Sequence, residues 1–137
     1  MPFGSATVVT NRGKAIIAKR LTGGASPVQV EPKFLAVGVG ANTAGRTAAV
    51  TDTSLSSEVQ ARVGTNAGAT DITDVTDDTY VVTNVVTASA HREVNEAALF
   101  DTGTANSGNT FISATFPPVN LESGDSIQVT FRTHIDD

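Results

Sequence analysis

The chain contains no cysteine, and this absence excludes thiol catalysis, thiolate-bound zinc and a disulfide framework. Tryptophan is also absent and aromatic residues make up 5% of the chain, so the platforms on which proteins stack sugars are nearly missing. No apolar run is long enough to span a bilayer, and the N-terminus lacks the apolar stretch of a secretory signal. The net charge of −5 disfavours nucleic acid as a partner, because phosphates require a cationic surface. We therefore expect a soluble, unexported chain with no membrane partner.

β-Branched residues dominate what is present, since threonine occurs 20 times and valine 17 times. Such side chains fit the pleated surface of a sheet and lower the tendency to form long helices. The 137 residues suit one domain, large enough to bury roughly two-thirds of the surface that its unfolded form exposes. The composition therefore predicts a single, mainly β domain.

Charge is distributed unevenly along the chain. Up to Arg46 there are six basic residues and one acid, a balance of +5, whereas the remainder has three arginines and thirteen acids, a balance of −10. Such segregation is typical of a subunit that docks one face on a charged partner or on copies of itself. The alternative is that both sets of charges mingle on the folded surface.

The first ten residues, MPFGSATVVT, predict an extended arm, because Pro2 and Gly4 discourage helix and the following residues favour strand. A short helix is predicted next over RGKAIIAKRL, capped by Asn11 and stopped at Gly23 and Gly24. The domain organisation that follows is an arm over 1–10 and a β domain over 11–137.

The rest of the chain predicts strands separated by loops. VQVEPKFLAVGVG indicates a strand that Pro32 marks as an edge or a break. TDTSLSSEVQAR indicates one or two helical turns, with a cap signal at Asp52 or Thr53. VGTNAGATDITDVTDD favours a loop or short edge strands. Thr79–Ala90 has the pattern of a central strand, followed after a bend near His91 by the strand EVNEAALF. Then come a strand at FISATF, a turn over PPVNLESGD, and a last strand whose core face carries Ile127, Val129, Phe131 and Thr133.

Short strands separated by loops at regular intervals predict an antiparallel β-sandwich or jelly-roll-like domain. This domain would carry one short N-terminal helix and the extended N-terminal arm.

The stretch GVGANTAGRT, Gly38 to Thr47, resembles a phosphate-binding loop but carries arginine where that motif has lysine. A phosphate loop must lead directly into a helix whose N-terminus faces the anion, whereas the residues after Thr47 are rich in threonine and valine. We therefore interpret this stretch as a surface loop after a strand.

Four acids lie within eight residues and are the candidates for a calcium site, namely Asp71, Asp74, Asp77 and Asp78. Their spacing fits no EF-hand, so the favoured interpretation is a solvated loop whose acids discourage edge-to-edge pairing, with no metal bound. The two histidines, His91 and His134, have no ligand-like neighbours in sequence and are expected on solvent faces.

Acid–base catalysis finds no support, because Glu93 and Glu96 are three residues apart on a strand and so fall on opposite faces. No serine lies in a G-x-S-x-G motif. We therefore expect no catalytic residues, no cofactor and no small-molecule substrate, so the chain is not expected to be an enzyme.

Three stretches together cover most of residues 34–132, namely FLAVGVGANTAG, TDTSLSSEV and REVNEAALFDTGTANSGNTFISATFPPVNLESGDSIQVTF. They resemble a type of small tailed-bacteriophage virion protein, in which an A-V-G-x-G-like loop precedes D-T-x-L and an N-E-x-x-L-F-D strand leads to a strand ending in F-x-P. Proteins of this type are capsid decoration (cement) proteins or tail, baseplate and fibre-associated parts.

The resemblance implies a structural virion protein, made in the host cytoplasm and located on the capsid surface. Its partners would be the major capsid protein and copies of itself, as a dimer or trimer. The arm is the expected interface, because an extended segment can add a strand to a neighbour; its candidate residues are Pro2, Phe3, Thr7, Val8, Val9 and Thr10. The alternatives are a tail or baseplate component and, from another class, a carbohydrate- or host-surface-binding module.

Overall fold

The computed structural model of the protein describes residues 6–22, 30–41 and 46–135. These residues form eight strands and one helix: β1 Ala6–Val9, α1 Asn11–Leu21, β2 Phe34–Gly38, β3 Glu58–Val63, β4 Ala69–Asp71, β5 Thr79–Thr87, β6 Arg92–Phe100, β7 Thr110–Leu121 and β8 Ser126–His134. The prediction of a mainly β chain with one short helix is therefore confirmed.

The strands form two antiparallel sheets. The first has five strands in the order β1-β7-β6-β2-β3, and the second has three in the order β4-β5-β8. β5 is central in its sheet, as its pattern predicts, and pairs with β8 along its whole length. Residues 88–91 carry the chain from β5 in one sheet to β6 in the other, at the predicted bend.

Apolar side chains from both sheets pack into one core, to which α1 contributes Ile16. The core face of β8 is the predicted one, since Phe131 and Thr133 are buried there. Side chains alternate along β6, so Ala97 and Leu99 face this core whereas Ala98 and Phe100 face the other side. There, with Ala36 and Leu55, they form a second, smaller core. The five-stranded sheet is thus covered on both faces.

Helix α1 begins one residue earlier than its cap signal indicates. Thr10, and not Asn11, is the N-cap residue, and its hydroxyl accepts a hydrogen bond from the Gly13 N–H at 2.9 Å. Thr22 caps the C-terminal end; the predicted stop at Gly23 and Gly24 lies outside the described residues. Gly13 faces β7 so closely that a Cβ there would lie 2.0 Å from the Phe111 carbonyl oxygen. Only glycine therefore permits this packing of the helix on the sheet.

The helical turns predicted over TDTSLSSEVQAR are wrong, because residues 58–63 form the strand β3. The Asp52 carboxylate accepts from the Ala49 N–H that precedes it, so it does not cap a following helix. The N–H groups of Ser56 and Ser57 donate to the distant Glu96 carboxylate, which removes them from any helical turn. Of the stretch VQVEPKFLAVGVG, residues 28 and 29 lie outside the described residues, and β2 begins at Phe34, just after the break predicted at Pro32.

The predicted turn at PPVNLESGD begins too early, because β7 continues through both prolines to Leu121. β1 pairs with β7 only as far as Thr115, so beyond that residue one edge of β7 lacks a partner strand among the described residues. The β6–β7 register also shifts next to the prolines, where Glu96 lies opposite Thr115 and Val94 opposite Val119. A missing N–H is tolerated at such an edge or bulge.

Candidate interaction site

Strand β1 is the first candidate surface, because only one of its edges is paired. Ala6–Val9 pair with β7, and no other described strand pairs with the outer edge of β1. Thr7 is exposed and Val8 is partly exposed. The predicted arm over 1–10 therefore needs correction: its residues 6–9 are part of the five-stranded sheet of the same chain.

The remaining predicted interface residues are Pro2, Phe3, Val9 and Thr10, of which Val9 is partly buried and packs against the core. Pro2 and Phe3 lie outside the described residues. Thr10 is fully buried, donates its hydroxyl hydrogen to the Thr110 carbonyl oxygen at 2.7 Å, and caps α1. Its side chain is therefore not available to a partner, and the structure corrects that part of the prediction.

A groove of about 340 Å³ opens between α1 and the ends of the two sheets. Its lining is mainly apolar and comes from α1, β5, β7, β8 and the segment before β2; it comprises Ile16, Ile17, Arg20, Leu21, Glu31, Pro32, Tyr80, Phe111, Thr133 and Ile135. Leu21 and Ile135 are 81% and 59% exposed, so apolar surface continues outward onto the rim. Thr133 is buried, and its hydroxyl has no hydrogen-bond partner.

Two polar groups lie on the wall of this groove. The Tyr80 hydroxyl donates to the Glu31 carboxylate at 3.1 Å, and the Tyr80 ring makes an edge-on contact with Phe111 at 5.8 Å between centroids. Burial, together with the nearby Glu31 charge, raises the pKa of Tyr80 above its ordinary value. Tyr80 therefore remains a neutral hydrogen-bond donor at physiological pH.

Residues 71–78 form the acidic turn, which projects beside the end of β8. Asp78 organises it, because its carboxylate accepts from the N–H groups of Thr73, Asp74 and Val75 at 2.8 to 2.9 Å. Burial acts to raise the pKa of Asp78, but these backbone hydrogen bonds outweigh it and hold the pKa well below its ordinary value. The acidic turn is thus shaped by an ionised carboxylate.

The four calcium candidates are not gathered around one point. Asp71 forms an ion pair with Arg132 at 2.6 Å, and Asp77 accepts a hydrogen bond from the Thr70 hydroxyl. Only Asp74 and Asp78 lie together, and the third potential ligand beside them is His134, with the ligand atoms within 4.8 Å of one another. Two carboxylates and an imidazole are not the all-oxygen set that calcium prefers.

Both histidines have acidic neighbours in space that their sequence surroundings do not reveal. The nearest carboxylate oxygens to His134 Nε2 are those of Asp78 at 3.1 Å and Asp74 at 3.4 Å. His91 Nδ1 lies 3.0 Å from Glu122, in an exposed pair. The expected solvent-face position therefore fits His91, whereas His134 is partly buried.

The loop around Arg46 is fastened to the sheet by a buried carboxylate. Glu96 on β6 has no exposed surface, and Arg46 Nη2 donates to it at 2.6 Å. Arg46 also donates to Asp52 at 2.5 Å and to the Ser56 hydroxyl at 2.8 Å. The arginine that stands where a phosphate loop has lysine therefore forms internal ion pairs; residues 42–45 of that stretch lie outside the described residues.

Glu96 accepts four hydrogen bonds, two at each oxygen. Oε1 accepts from Arg46 Nη2 and the Ser56 N–H, and Oε2 accepts from the N–H groups of Gly40 and Ser57. Burial acts to raise the pKa of Glu96, but these bonds prevail and lower it.

Glu93 and Glu96 do not form a carboxylate pair, because Glu93 is exposed and Glu96 is buried. The predicted alternation is not the reason, since the β6–β7 register shifts between Val94 and Glu96, and Val94 and Ala97, which are also three residues apart, both pack in the core shared by the two sheets. The prediction that Glu93 and Glu96 lie on opposite faces is therefore not confirmed.

A second arginine, Arg62, is buried and holds the loop after β6. Arg62 makes a two-point ion pair with Glu58, with both N–O distances between 2.8 and 2.9 Å, and its guanidinium lies 3.7 Å from the Phe100 ring centroid. Arg62 also donates to the carbonyl oxygens of Thr102 and Ser107. Both arginines thus hold loops against the outer face of the five-stranded sheet.

The groove and the exposed apolar side chains near it are not predicted from the sequence. Within the acidic turn, Ile72 and Val75 are 58% and 64% exposed. The sequence signal for this surface was the presence of Ile72 and Val75 among the aspartates, because a loop that only contacts solvent does not require large apolar side chains. The groove is lined by residues from five separate segments of the chain, so no pattern of neighbouring residues predicts it.

Comparison of the chain with protein-family models, with curated proteins and with solved structures finds no match. None of the described helices is long and apolar enough to cross a membrane.

Proposed function

We propose that the protein is a non-enzymatic structural component of a virus particle, a cement protein that binds the outer capsid across boundaries between major capsid subunits. The observation that carries this proposal is the outer edge of β1, which no other described strand pairs. The sequence resemblance over residues 34–132 supports the same role. On this proposal the protein is made in the host cytoplasm and is located on the virion surface.

An open strand edge provides binding without a specific side-chain chemistry. The outer edge of β1 presents backbone N–H and C=O groups that a strand from a neighbouring subunit would pair. Thr7 is exposed beside this edge, and neither Asp, Glu, Lys nor Arg occurs between Ala6 and Thr10 to oppose such pairing. The contact therefore suits a partner that offers an extended segment, with affinity from main-chain hydrogen bonds.

The arrangement of the two sheets suits a rigid connector. We propose that they pack face to face as a β-sandwich of the jelly-roll type, on the basis of the core that they share. Both faces of the central strand β6 are covered, and two arginines, Arg46 and the buried Arg62, fix loops on the outer face. A domain of this kind transmits load between its edges with little deformation.

A cement protein stabilises the capsid by thermodynamic linkage between its binding and shell assembly. A protein that binds assembled shells and not free subunits stabilises the shell by roughly 2.7 kcal/mol per site at a free concentration of one hundred times Kd. Repeated over many sites, this contribution resists the pressure of packaged DNA.

The location is tested by counting copies. Particles are purified by density gradient from a lysate of the cells that carry this sequence, and the chain is quantified by mass spectrometry against the most abundant shell protein. Hundreds of copies in a simple ratio to that protein are expected. About six copies, or a small multiple, would instead place the protein in the tail or baseplate. Absence from the particles would refute a virion role.

The role of β1 is tested on particles stripped of the protein. Thr7→Lys places a charge beside the open edge, which disfavours strand addition, and we expect it to lower occupancy of the stripped particles at least tenfold. Gln128→Lys adds the same charge at an exposed position of β8 and serves as the matched control. Equal occupancy for the two variants would show that the β1 edge is not the attachment site.

A further inference from the structure

Exposed apolar side chains are concentrated on one region of the described surface. Among the described residues eight large apolar side chains are exposed, and four of them belong either to the groove or to the acidic turn: Leu21, Ile72, Val75 and Ile135. Such clusters on a soluble domain mark interaction sites. Ile72 and Val75 are exposed on the acidic turn, whereas Leu21 and Ile135 lie on the rim of the groove.

The groove has room for apolar side chains from outside. Its volume of about 340 Å³ is about twice the roughly 150 Å³ of an engineered apolar cavity that admits benzene. Its lining is mainly apolar, and the hydroxyl oxygen of Thr133, which also lines it, is itself buried, so the groove suits apolar groups.

The acidic turn is ordered and exposes two apolar side chains, Ile72 and Val75, that could enter a groove on another molecule; we call this pair the insert. Asp78 fixes its backbone through three N–H groups, and a further hydrogen bond joins the Thr73 and Thr79 hydroxyls at 2.6 Å. Ile72 and Val75 are therefore held outward on an ordered backbone, and little conformational entropy is lost when they are buried.

The insert and the groove are neighbours on the same face of the molecule. The Ile135 N–H donates to the Asp78 carbonyl oxygen at 2.9 Å, so the rim of the groove is joined to the acidic turn. A surface that carries both parts side by side is self-complementary about a two-fold axis, because each copy can offer its turn to the groove of the other.

The acidic turn and the helix α1 beside the groove carry charges of opposite sign. α1 carries Arg12, Lys14, Lys19 and Arg20 and no acid, and the first three of these form no ion pair with another described residue. The acidic turn carries four aspartates. A second copy that inserts its turn beside α1 therefore brings acidic groups to a basic helix, which favours the contact and fixes its orientation.

We propose that a second copy of this chain occupies the groove, by reciprocal insertion of Ile72 and Val75 into the groove formed by α1, Tyr80 and Ile135 of its neighbour. The product is a two-fold dimer with two equivalent contacts. The inference goes beyond the proposed capsid role and does not depend on it.

The test is sedimentation velocity and light scattering of the full chain from about 1 µM to about 1 mM. The wild-type chain is expected to pass from its mass of 14.0 kDa to twice that mass. An insert variant, Ile72→Ser with Val75→Ser, and a groove variant, Leu21→Asp with Ile135→Asp, should each raise the dimer Kd at least about tenfold. The control carries Val85→Asp with Val119→Asp, which are exposed on other strands, and should dimerise as the wild type does.

Mixing separates docking from damage to the fold. A heterodimer of the insert variant and the groove variant retains one intact contact, whereas either homodimer retains none. The mixture should therefore dimerise more tightly than either variant alone, which native mass spectrometry resolves. A wild-type monomer throughout, a trimer, an equal loss in the control, or no gain on mixing would each overturn the inference. Dimerisation without capsid binding would support the dimer and refute the proposed function. Capsid binding by a chain that stays monomeric would support the proposed function and refute the dimer.

Discussion

Replacement of Glu96 by glutamine is the sharpest test of how the loops are held on the sheet. The two side chains have nearly the same shape, so the change removes the charge without opening a cavity. Each Glu96 oxygen accepts from two N–H donors. In the Glu96→Gln variant the amide oxygen can replace only one of the two carboxylate oxygens, so two of the four hydrogen bonds are kept. The NH₂ group takes the place of the other oxygen and faces two donors, so the other two bonds are lost.

The magnitude follows from this count. Hydrogen bonds to a charged group contribute about 1.5 to 3 kcal/mol each. The loss of two therefore lowers the free energy of unfolding by roughly 3 to 6 kcal/mol, in agreement with the roughly 3 to 5 kcal/mol that follows from breaking one side of a buried ion pair. A small domain has a total stability of about 5 to 15 kcal/mol, so the variant should be close to unfolding.

The assay is equilibrium unfolding in urea, with the exposed Glu93→Gln on the same strand as the control. The control should change the free energy of unfolding by no more than about 0.5 kcal/mol. A loss below about 1 kcal/mol for Glu96→Gln, or equal losses for both variants, would refute the argument, because it would mean that the four hydrogen bonds contribute little net stability.

The same substitution has a defined pH dependence. Burial raises the pKa of Glu96, yet its hydrogen bonds lower it overall, below the ordinary value of 4.5. A depressed pKa gives stability that is fully present above the unfolded-state pKa and is lost as the pH falls through the folded-state pKa. The difference between wild type and Glu96→Gln should therefore be constant above about pH 5.5 and shrink below pH 4.5.

Two further substitutions test the packing on either side of the five-stranded sheet. Gly13→Ala would place a Cβ 2.0 Å from the Phe111 carbonyl oxygen, so it should lower the free energy of unfolding by about 1 to 3 kcal/mol, although alanine is normally favoured over glycine in helices; an increase in the thermal midpoint would contradict the observed contact. Arg62→Lys removes the two-point ion pair with Glu58 and should lower the free energy of unfolding in urea by about 3 kcal/mol. The exposed Arg132→Lys should change it by less than about 0.5 kcal/mol, and similar effects of the two lysines would argue against a special role for Arg62.

Strands with a regular pattern were predictable because the pattern has a local cause. β5 and β8 alternate between a core face and an outer face, and the side of β8 predicted to face the core contains the buried Phe131. The β-branched content similarly predicts sheets, since pleated surfaces accommodate such side chains. These properties follow from neighbouring residues, so the sequence alone is sufficient for them.

The errors arise where a distant residue decides the local conformation. Asp52 has the appearance of a helix cap, but the N–H groups that a helix would need for its first turn are bound by Glu96, 39 and 40 residues away. The continuation of β7 through its prolines likewise depends on where β1 stops pairing. Thr10 was predicted in an interface because it ends an extended segment, whereas its burial depends on β7.

The stretches that carry the resemblance to virion proteins meet at one place in the fold. Asn95 of the N-E-x-x-L-F-D segment accepts from the Ala41 N–H at 3.0 Å, and the adjacent Glu96 binds the loop that contains Arg46 and Asp52. Leu55, from the D-T-x-L segment, packs in the smaller core. Each of these residues is engaged with another part of the same chain, so their spacing is explained by the fastening of a loop to a sheet. The contacts proposed above do not require Asn95, Glu96 or Leu55, so the edge of β1, the groove and the acidic turn are the places to test for a partner.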